Sequence, residues 1–596
     1  MHRERLVSAA FLAALMIAAL PAGAVTLTVT NDSTDMATSG SFWWALDQAA
    51  DGDTIVFDGD YTLMPTTSTD INVPNLTIDG EANNVVFDGT SDGTLQFTLR
   101  VTAAGVTLRN IDVLNGNTAQ VVVDMDADGT LLENMSISNA TAGDPGSAFA
   151  GALILGDNTI VRNCLFEDNF RGLGISFVHG GSIGALGYGL DVLETHEVLN
   201  TLIEDSTFRH NRYMGLWVGL EQQPEPDTFV EVNDILVRNC RFYANTYDNL
   251  FSTGDTNNLT VQGSIFGLDE MGNMMPIPEG TDGQPLDDTN GANGMYASSA
   301  NLATSRTRDA IWLIQNTSNV LIGGNDPSEW NVIVGSPRGG VLRANNWSPA
   351  FPQSITVEGN IIRDINGFGF VERQSSSDGL EPKANTWWQG DMSGLDPWSP
   401  GTYVEPAKPS NITYDNAGIS GTATAGHIIN VYLGKYDPLG TLIGPQFDVY
   451  LGKTTADGSG NWSMAAADLE TKFPGMWITA TATDPTTGDT SEDLPPGMAA
   501  QIAGTPLTDS DGDGLPDAFE TEYGLDPNNP LADNGPLADP DEDGSTTMQE
   551  YMDGTNPLQA GAGMPAVHPA ILIAAALLLA AWGYILARRT TVEKLR

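Results

Sequence analysis

The stretch Val161-Arg162-Asn163-Cys164-Leu165-Phe166-Glu167-Asp168-Asn169-Phe170-Arg171-Gly172-Leu173-Gly174-Ile175 sets the reading of the whole chain. It runs β-branched anchor, charge, turn-former, small residue, then apolar and aromatic residues, with an Asn further on. The unit returns at Ile203-Glu204-Asp205-Ser206-Thr207-Phe208, followed by Asn211, Gly215 and Leu216. It returns again at Val237-Arg238-Asn239-Cys240-Arg241-Phe242, followed by Asn245 and Asn249. Each copy describes one coil of a β-solenoid.

Extended outward, the unit places inward anchors at Ile78, Leu108, Leu132, Val161, Ile203, Val237, Val261 and Val357. Their spacings are 30, 24, 29, 42, 34, 24 and 96 residues. Leucine-rich and ankyrin arrays keep a nearly fixed period and are excluded. A parallel β-helix fits, because its strands stack in register while its loops absorb the differences. The widest gap has room for further coils, expected from Asn319–Gly324 and Val332–Val334. Two positions after the anchors stand Gly80, Asn110, Asn134, Asn163, Asp205, Asn239, Gly263 and Gly359, residue types that tolerate a left-handed corner. Phe166, Phe208 and Phe242 are expected to stack inside. Cys164, Ser206 and Cys240 should form a neighbouring column of small core residues. The two cysteines then lie two coils, on the order of 10 Å, apart, too far for a disulfide.

The position just after each anchor holds Asp79, Arg109, Glu133, Arg162, Glu204, Arg238 and Gln262, so the sign alternates from coil to coil. Strands about 4.8 Å apart make such side chains neighbours, and opposite charges there contribute roughly 0.2–1 kcal/mol per pair. These arginines are therefore read as a salt-bridge ladder and not as a basic cleft for acidic polysaccharide.

The ladder lies in a chain of 596 residues, too long for one compact core. Lys+Arg number 25 against Asp+Glu 76, a net charge of −51 that repels nucleic acid and favours cations. Adaptation to high salt would account for the same acidity without a ligand. Arg3 and Arg5, the apolar run Leu6–Leu20 and Ala22-Gly23-Ala24 have the three parts of a secretory signal over residues 1–24, cleaved after Ala24. An uncleaved anchor is the alternative. Val25–Thr30 then reads as a strand and Gly40–Ala50 as an amphipathic helix, with Ser41 as its cap and Asp51-Gly52 as its stop. Trp43 and Trp44 suit covering the open end of the solenoid.

Residues 26–400 resemble the right-handed parallel β-helix family with the pectin-lyase-type fold, on the strength of the repeated V-x-N-x-x-F-like coils. The solenoid is accordingly assigned to residues 25–405. Gly40–Ala45 partly resembles the Cys-Ser-Leu-Arg-Glu-Ala cap of large bacterial surface β-helix proteins. The resemblance implies that an enzyme on this fold is a polysaccharide lyase or a glycoside hydrolase, the latter needing paired carboxylates. The hydrolase set of Asn-x-Asp, Asp-Asp and Gly-His-Gly is not matched. The candidates for proton transfer are Asp191, Glu194, His196 and His210, with His179, Glu197, Arg212 and Tyr213 nearby. The competing reading is an ordinary solvated loop. Met271–Asp309 reads as a surface insertion. Trp387, Trp388 and Trp398 are expected to pack the C-terminal cap.

Residues 406–496 change to short alternating strands, expected at Ile412–Tyr414, Ala417–Thr424, Ile428–Leu433, Phe447–Leu451, Trp462–Met464 and Trp477–Ala482. This small β-sandwich resembles the bacterial immunoglobulin-like repeats, which implies a spacer or adhesive unit.

Residues 505–560 carry two acidic loops. A calcium loop of the 12-residue kind offers oxygens from positions 1, 3, 5, 7, 9 and 12, with Gly at 6 for the sharp turn. Asp509, Asp511, Asp513, the Leu515 carbonyl, Asp517 and Glu520 match that spacing around Gly514. Asp539, Asp541, Asp543, the Ser545 carbonyl, Thr547 and Glu550 match it again around Gly544, 30 residues on. Each loop should run into a short helix ending at Gly-x-Asp/Asn-Pro. Gly504-Thr505-Pro506 breaks any entering helix, so this is no EF-hand pair. The segment resembles thrombospondin type 3 and dockerin-like repeats, and Ca2+ is the expected cofactor.

The terminal segment, 564–596, has eighteen uncharged residues from Ala570 to Ala587 and then Arg588-Arg589, long enough for a transmembrane helix. Met564-Pro565 and the arginines resemble the sorting signals cut by exosortase-like proteases; a plain single-pass anchor is the alternative. The fold class expected is all-β: parallel β-helix, β-sandwich, calcium repeats and a C-terminal transmembrane helix. The function expected is an exported surface protein for adhesion or structure, with extracellular polysaccharide as a ligand class. The alternative is a polysaccharide lyase or hydrolase.

Overall fold

The computed structural model describes residues 24–560, apart from 91–96, 141–149, 176–196, 220–231, 276–308, 345–352, 374–405, 436–446 and several stretches of one to four residues. Three parallel sheets wind through residues 26–373. The first has twelve strands, running from Thr26–Val29 to Gln353–Glu358. The second has ten, from Tyr61–Leu63 to Ile361–Arg363, and the third ten, from Thr69–Ile71 to Phe368–Arg373. Each coil contributes one strand to each sheet in turn, which is a parallel β-helix.

The expected register holds along the first sheet. Ile78, Leu108, Leu132, Val161, Ile203, Val237 and Val261 pair in succession and are fully buried. Val261 then pairs with Ile322, and Ile322 with Val357. The widest gap thus holds one coil: Ser318–Gly323 is its first-sheet strand and Val332–Val334 its second-sheet strand. The corner residues Asn110, Asn134, Asn163, Asp205 and Asn239 all have φ between 52° and 56°, and Gly263 and Gly359 are left-handed too. Gly80 is the exception, since the positive φ falls on Glu81 (53°). Gly80 serves close approach instead: a Cβ there would stand 1.9 Å from the Asn110 carbonyl oxygen.

Phe166, Phe208, Phe242 and Phe266 stack along the core with centroids 4.9, 4.7 and 4.8 Å apart and planes within 6° of parallel. Cys164 and Cys240 are buried free thiols flanking Ser206, whose Oγ accepts from Cys164 N at 3.1 Å. Burial pushes both thiols up to about 12, so they act as small core residues and not as nucleophiles.

At the N-terminal end Ser41 caps the helix Phe42–Gln48, accepting from Trp44 N at 3.1 Å. Phe42 is the most deeply buried of the covering residues, and Trp43 reaches the first third-sheet strand, its Nε1 donating to Thr69 Oγ1 at 3.4 Å. Phe42 and Ala45 are fully buried, and the Phe42 ring packs edge-on to Phe87 at 4.9 Å. Trp43 and Trp44 fall on the flank of the same short helix and stay half-buried. The helix ends at Gln48, ahead of Asp51-Gly52, because Ala49 turns to extended backbone.

A strand overlaps each of the six stretches expected beyond residue 406, although one stops at Thr422, short of Thr424, and another begins at Val449, after Phe447. Ser410–Asp415, Gly418–Thr422 and Asn461–Met464 form one antiparallel sheet. Val449–Thr455, Ile428–Gly434, Trp477–Thr483 and Ala500–Gln501 form the other. Contacts divide the chain into two compact units, and the sandwich shares the first with the solenoid. Its loops close the solenoid's last coil. Thr490 N donates to Ile355 O at 3.0 Å, Val357 N donates to Thr490 Oγ1 at 3.1 Å, and Ile362 and Phe447 exchange backbone hydrogen bonds. Edge strands with unpaired backbone groups invite aggregation, and these contacts cover part of two such edges. The tryptophans Trp387, Trp388 and Trp398, expected at that end, lie outside the described residues.

The second unit comprises Lys472–Pro474 and the stretch from Thr505, with helices Asp517–Tyr523 and Thr547–Asp553. No helix among the described residues is long and apolar enough to cross a membrane, and Ala570–Ala587 lies outside them.

Candidate metal centre

Asp509, Asp511 and Asp513 each offer a carboxylate oxygen, and these oxygens lie within 4.8 Å of one another; Asp539, Asp541 and Asp543 do the same. Local backbone bonds hold both triads in shape. Asp509 Oδ2 accepts from Gly514 N at 3.1 Å, and Asp513 Oδ1 accepts from Leu515 N at 2.8 Å. In the second loop Asp539 Oδ2 accepts from Gly544 N at 2.9 Å, and Asp543 Oδ1 accepts from Ser545 N at 2.9 Å. Gly514 and Gly544 have φ of 95° and 94°, a conformation L side chains rarely adopt. The helices that follow end in left-handed Gly524 and Gly554.

Glu520 is fully buried, and neither Oε1 nor Oε2 has a hydrogen-bond partner. A buried carboxylate in that state is costly unless a cation meets it. Burial, then the charges of Asp511, Asp509 and Asp517, push its carboxyl up from 4.5 to about 8. Glu550 is 2% exposed; its Oε1 accepts from Thr555 Oγ1 at 3.1 Å while Oε2 has no partner. Burial, aided by Asp541, Asp543 and Asp539, raises Glu550 as well, and burial raises Asp541. An all-oxygen, acid-crowded set of this kind fits a hard divalent cation.

Two of the remaining expected ligands, Asp517 and Thr547, also make local hydrogen bonds. Asp517 accepts from Ser510 N and Ser510 Oγ, both at 2.7 Å, and so ties the loop to its helix. Thr547 Oγ1 donates to Ala538 O at 3.2 Å. Leu515 packs its side chain inside the unit, and Ser545 lies at the corresponding place in the second loop.

On the solenoid the charge ladder forms among the residues read for it. Arg109 pairs with Asp79 at 2.7 Å, and Arg162 with Glu133 at 3.4 Å and Glu204 at 2.5 Å. Arg238 Nε donates to Glu204 at 2.8 Å. Lys453 of the sandwich reaches Glu358, just after the last anchor, at 2.6 Å. His179, Asp191, Glu194 and His196 lie outside the described residues. His210 is exposed, at a left-handed corner (φ 54°) that Asn115, Asn139, Asp168 and Ala244 occupy in other coils. Its ring meets Tyr243 edge-on at 5.8 Å. Glu197 and Arg212 are exposed.

A second apolar row escaped the sequence reading. Val122, Leu153, Gly174, Trp217, Phe251, Trp312 and Leu342 pair in succession on the outer face of the third sheet. All seven are buried. Arg171, 4% exposed, lies with its guanidinium carbon 4.7 to 5.0 Å from the rings of Phe170, Tyr213 and Trp217. Strands apolar on both faces show no alternation, which is why neither signal stood out.

No protein-family model matches the chain, and no curated relative matches it in sequence. Solved structures do resemble it. The Dettilon tailspike protein is 11% identical over 80% of this chain and 90% of its own, with a TM-score of 0.30. The pectate lyase Pel9A is 12% identical over 66% and 96%, at 0.32. PfbA, a surface adhesin of Streptococcus pneumoniae, is 10% identical over 56% and 82%, at 0.33. The class is defined by the chain's own sheet order, three parallel sheets that each take one strand per coil, which is a parallel β-helix.

Proposed function

We propose that the chain is an exported surface protein with an adhesive or structural role, whose second unit binds calcium at two loops and is stiffened by it. Buried Glu520 carries this reading. Its two oxygens lack partners at the distal position of a loop whose Asp509, Asp511 and Asp513 already converge. Calcium would be held by those carboxylates with Glu520, and by Asp539, Asp541, Asp543 and Glu550 in the second loop. Metal neutralises carboxylates that otherwise repel one another. The uncharged run Ala570–Ala587 supports attachment to a membrane, with or without a sorting protease.

The ligand presented to the solenoid is tested by a glycan array on the exported chain with and without calcium, followed by product analysis of the hits. Binding without cleavage is the expected result. Unsaturated or hydrolysed products would replace the adhesive role with a lyase or hydrolase.

A further inference from the structure

Asp53 is a buried carboxylate, 5% exposed, at the turn that leads into the second coil strand, Thr54–Phe57. Its Oδ2 accepts from Ala50 N at 2.8 Å, and its Oδ1 accepts from Val25 N at 2.7 Å. Among the described residues no Lys, Arg or His pairs with it. A carboxylate held so far from water by two neutral donors alone is poorly compensated, and a cation at either donor would correct that.

One of the two donors is able to become that cation. Val25 N is an amide in the unprocessed chain, and the three residues before it are the small Ala22-Gly23-Ala24. Hydrolysis of the Ala24–Val25 peptide by an export peptidase consumes one water. It leaves a carboxylate on the leader and an α-ammonium on Val25, already 2.7 Å from Asp53 Oδ1. The new terminus is otherwise fixed: Val25 O accepts from Thr54 N at 2.9 Å, and Thr26–Val29 pairs in parallel with Thr54–Phe57. Ala24 and Val25 are exposed, so the bond is open to a peptidase.

We propose that processing after Ala24 generates an α-ammonium that forms a charge-assisted ion pair with Asp53, locking the first strand of the solenoid onto the second. The cleavage is thereby a step in completing the N-terminal edge as well as the removal of a leader. A new cation on an existing carboxylate shortens and strengthens a hydrogen bond already in place. The inference rests on the export proposed above.

Two measurements test it. The full chain is exported from its own leader and the product's N-terminus is sequenced; a start at Val25 is expected. An exported product that starts elsewhere overturns the pairing and leaves export intact, whereas retention of Met1 in the cytoplasm defeats both. Separately, chains running to Arg596 are released from a fusion so as to begin at Val25 or at Ala24, each with Asp53 or with Asp53→Asn. The Val25 start should melt higher than the Ala24 start when Asp53 is present, and the difference should vanish with Asn. Equal midpoints in the Asp53 background overturn the proposal, and that comparison stands even if Asp53→Asn does not fold.

Discussion

Arg343 and Asp489, 146 residues apart in sequence, form an ion pair of 3.0 Å in which Arg343 is completely buried. Arg343 belongs to the third sheet of the solenoid and Asp489 to a loop of the sandwich. Asp489 Oδ1 also accepts from Ile355 N, on the last first-sheet strand, at 3.1 Å. One carboxylate thus ties the sandwich to the first-sheet strand of the final coil and to the third-sheet strand of the coil before it. The module read from sequence as a spacer or adhesive unit also packs against the last coils of the solenoid.

Removing one partner of a buried pair leaves the other charge less well compensated, at a typical loss of up to about 3–5 kcal/mol. Asp489→Ala is therefore expected to destabilise the first unit by about that much, because it also leaves Ile355 N without its acceptor. Denaturant unfolding checks this. A loss under about 1 kcal/mol, the range of exposed pairs, would place the contact among ordinary surface bridges.

The phenylalanine stack gives a second expectation. Phe208 is fully buried between Phe166 and Phe242. Phe208→Ala should cost about 3–5 kcal/mol, and Phe208→Leu less, since the smaller void relaxes more readily. Equal losses from the two would mean that aromatic stacking, and not filled volume, dominates the column.

Acid should weaken the ladder. Burial alone would raise the Glu204 carboxyl, but hydrogen bonds from Arg238 and Arg162 outweigh it and hold the group below its ordinary value of 4.5. Asp79 is lowered in the same way, by Asn110, the Glu81 backbone and Arg109 acting against burial. A depressed carboxyl contributes stability above its unfolded pKa and loses it as pH falls through the folded one. Unfolding midpoints should accordingly fall below about pH 4.5. Glu204→Gln should flatten that fall; an unchanged slope would show the ladder to be energetically idle.

Glu520 has the opposite sign. Its carboxyl is raised from 4.5 to about 8 in the metal-free protein, so the metal-free second unit loses stability as pH rises through that window. Calcium should restore most at the upper end, and its binding near pH 7 should release protons. Calorimetry in buffers of different ionisation enthalpy reads that release. Glu520→Gln should abolish it at the first loop.

Much of the solenoid is legible in the sequence because its signals are local. Ile203, Glu204 and Asp205 are an inward anchor, an outward charge and a left-handed corner in three consecutive residues, and they occupy those places in the structure. The acidic loops are legible for the same reason, since Asp509, Asp511 and Asp513 converge within one turn. At the outer positions Asp517 and Thr547 also bond to Ser510 and Ala538, contacts that the ligand spacing does not announce. Long-range contacts left no trace. Nothing around Arg343 announces Asp489, and Leu216-Trp217-Val218 hides an outer aromatic row within an unbroken apolar strand. At the N-terminal cap Trp43 reaches Thr69 as the sequence suggests, while the deepest covering residue is its neighbour Phe42.

The most direct test of the account is isothermal titration of calcium into the exported chain near neutral pH, beside its Glu520→Gln and Glu550→Gln forms. Two ions per chain are expected, one for each aspartate triad. Affinities of about 10⁻⁴–10⁻³ M fit extracellular modules, and each substitution should remove or weaken one ion. No uptake at millimolar calcium, or uptake unchanged by both substitutions, would contradict it.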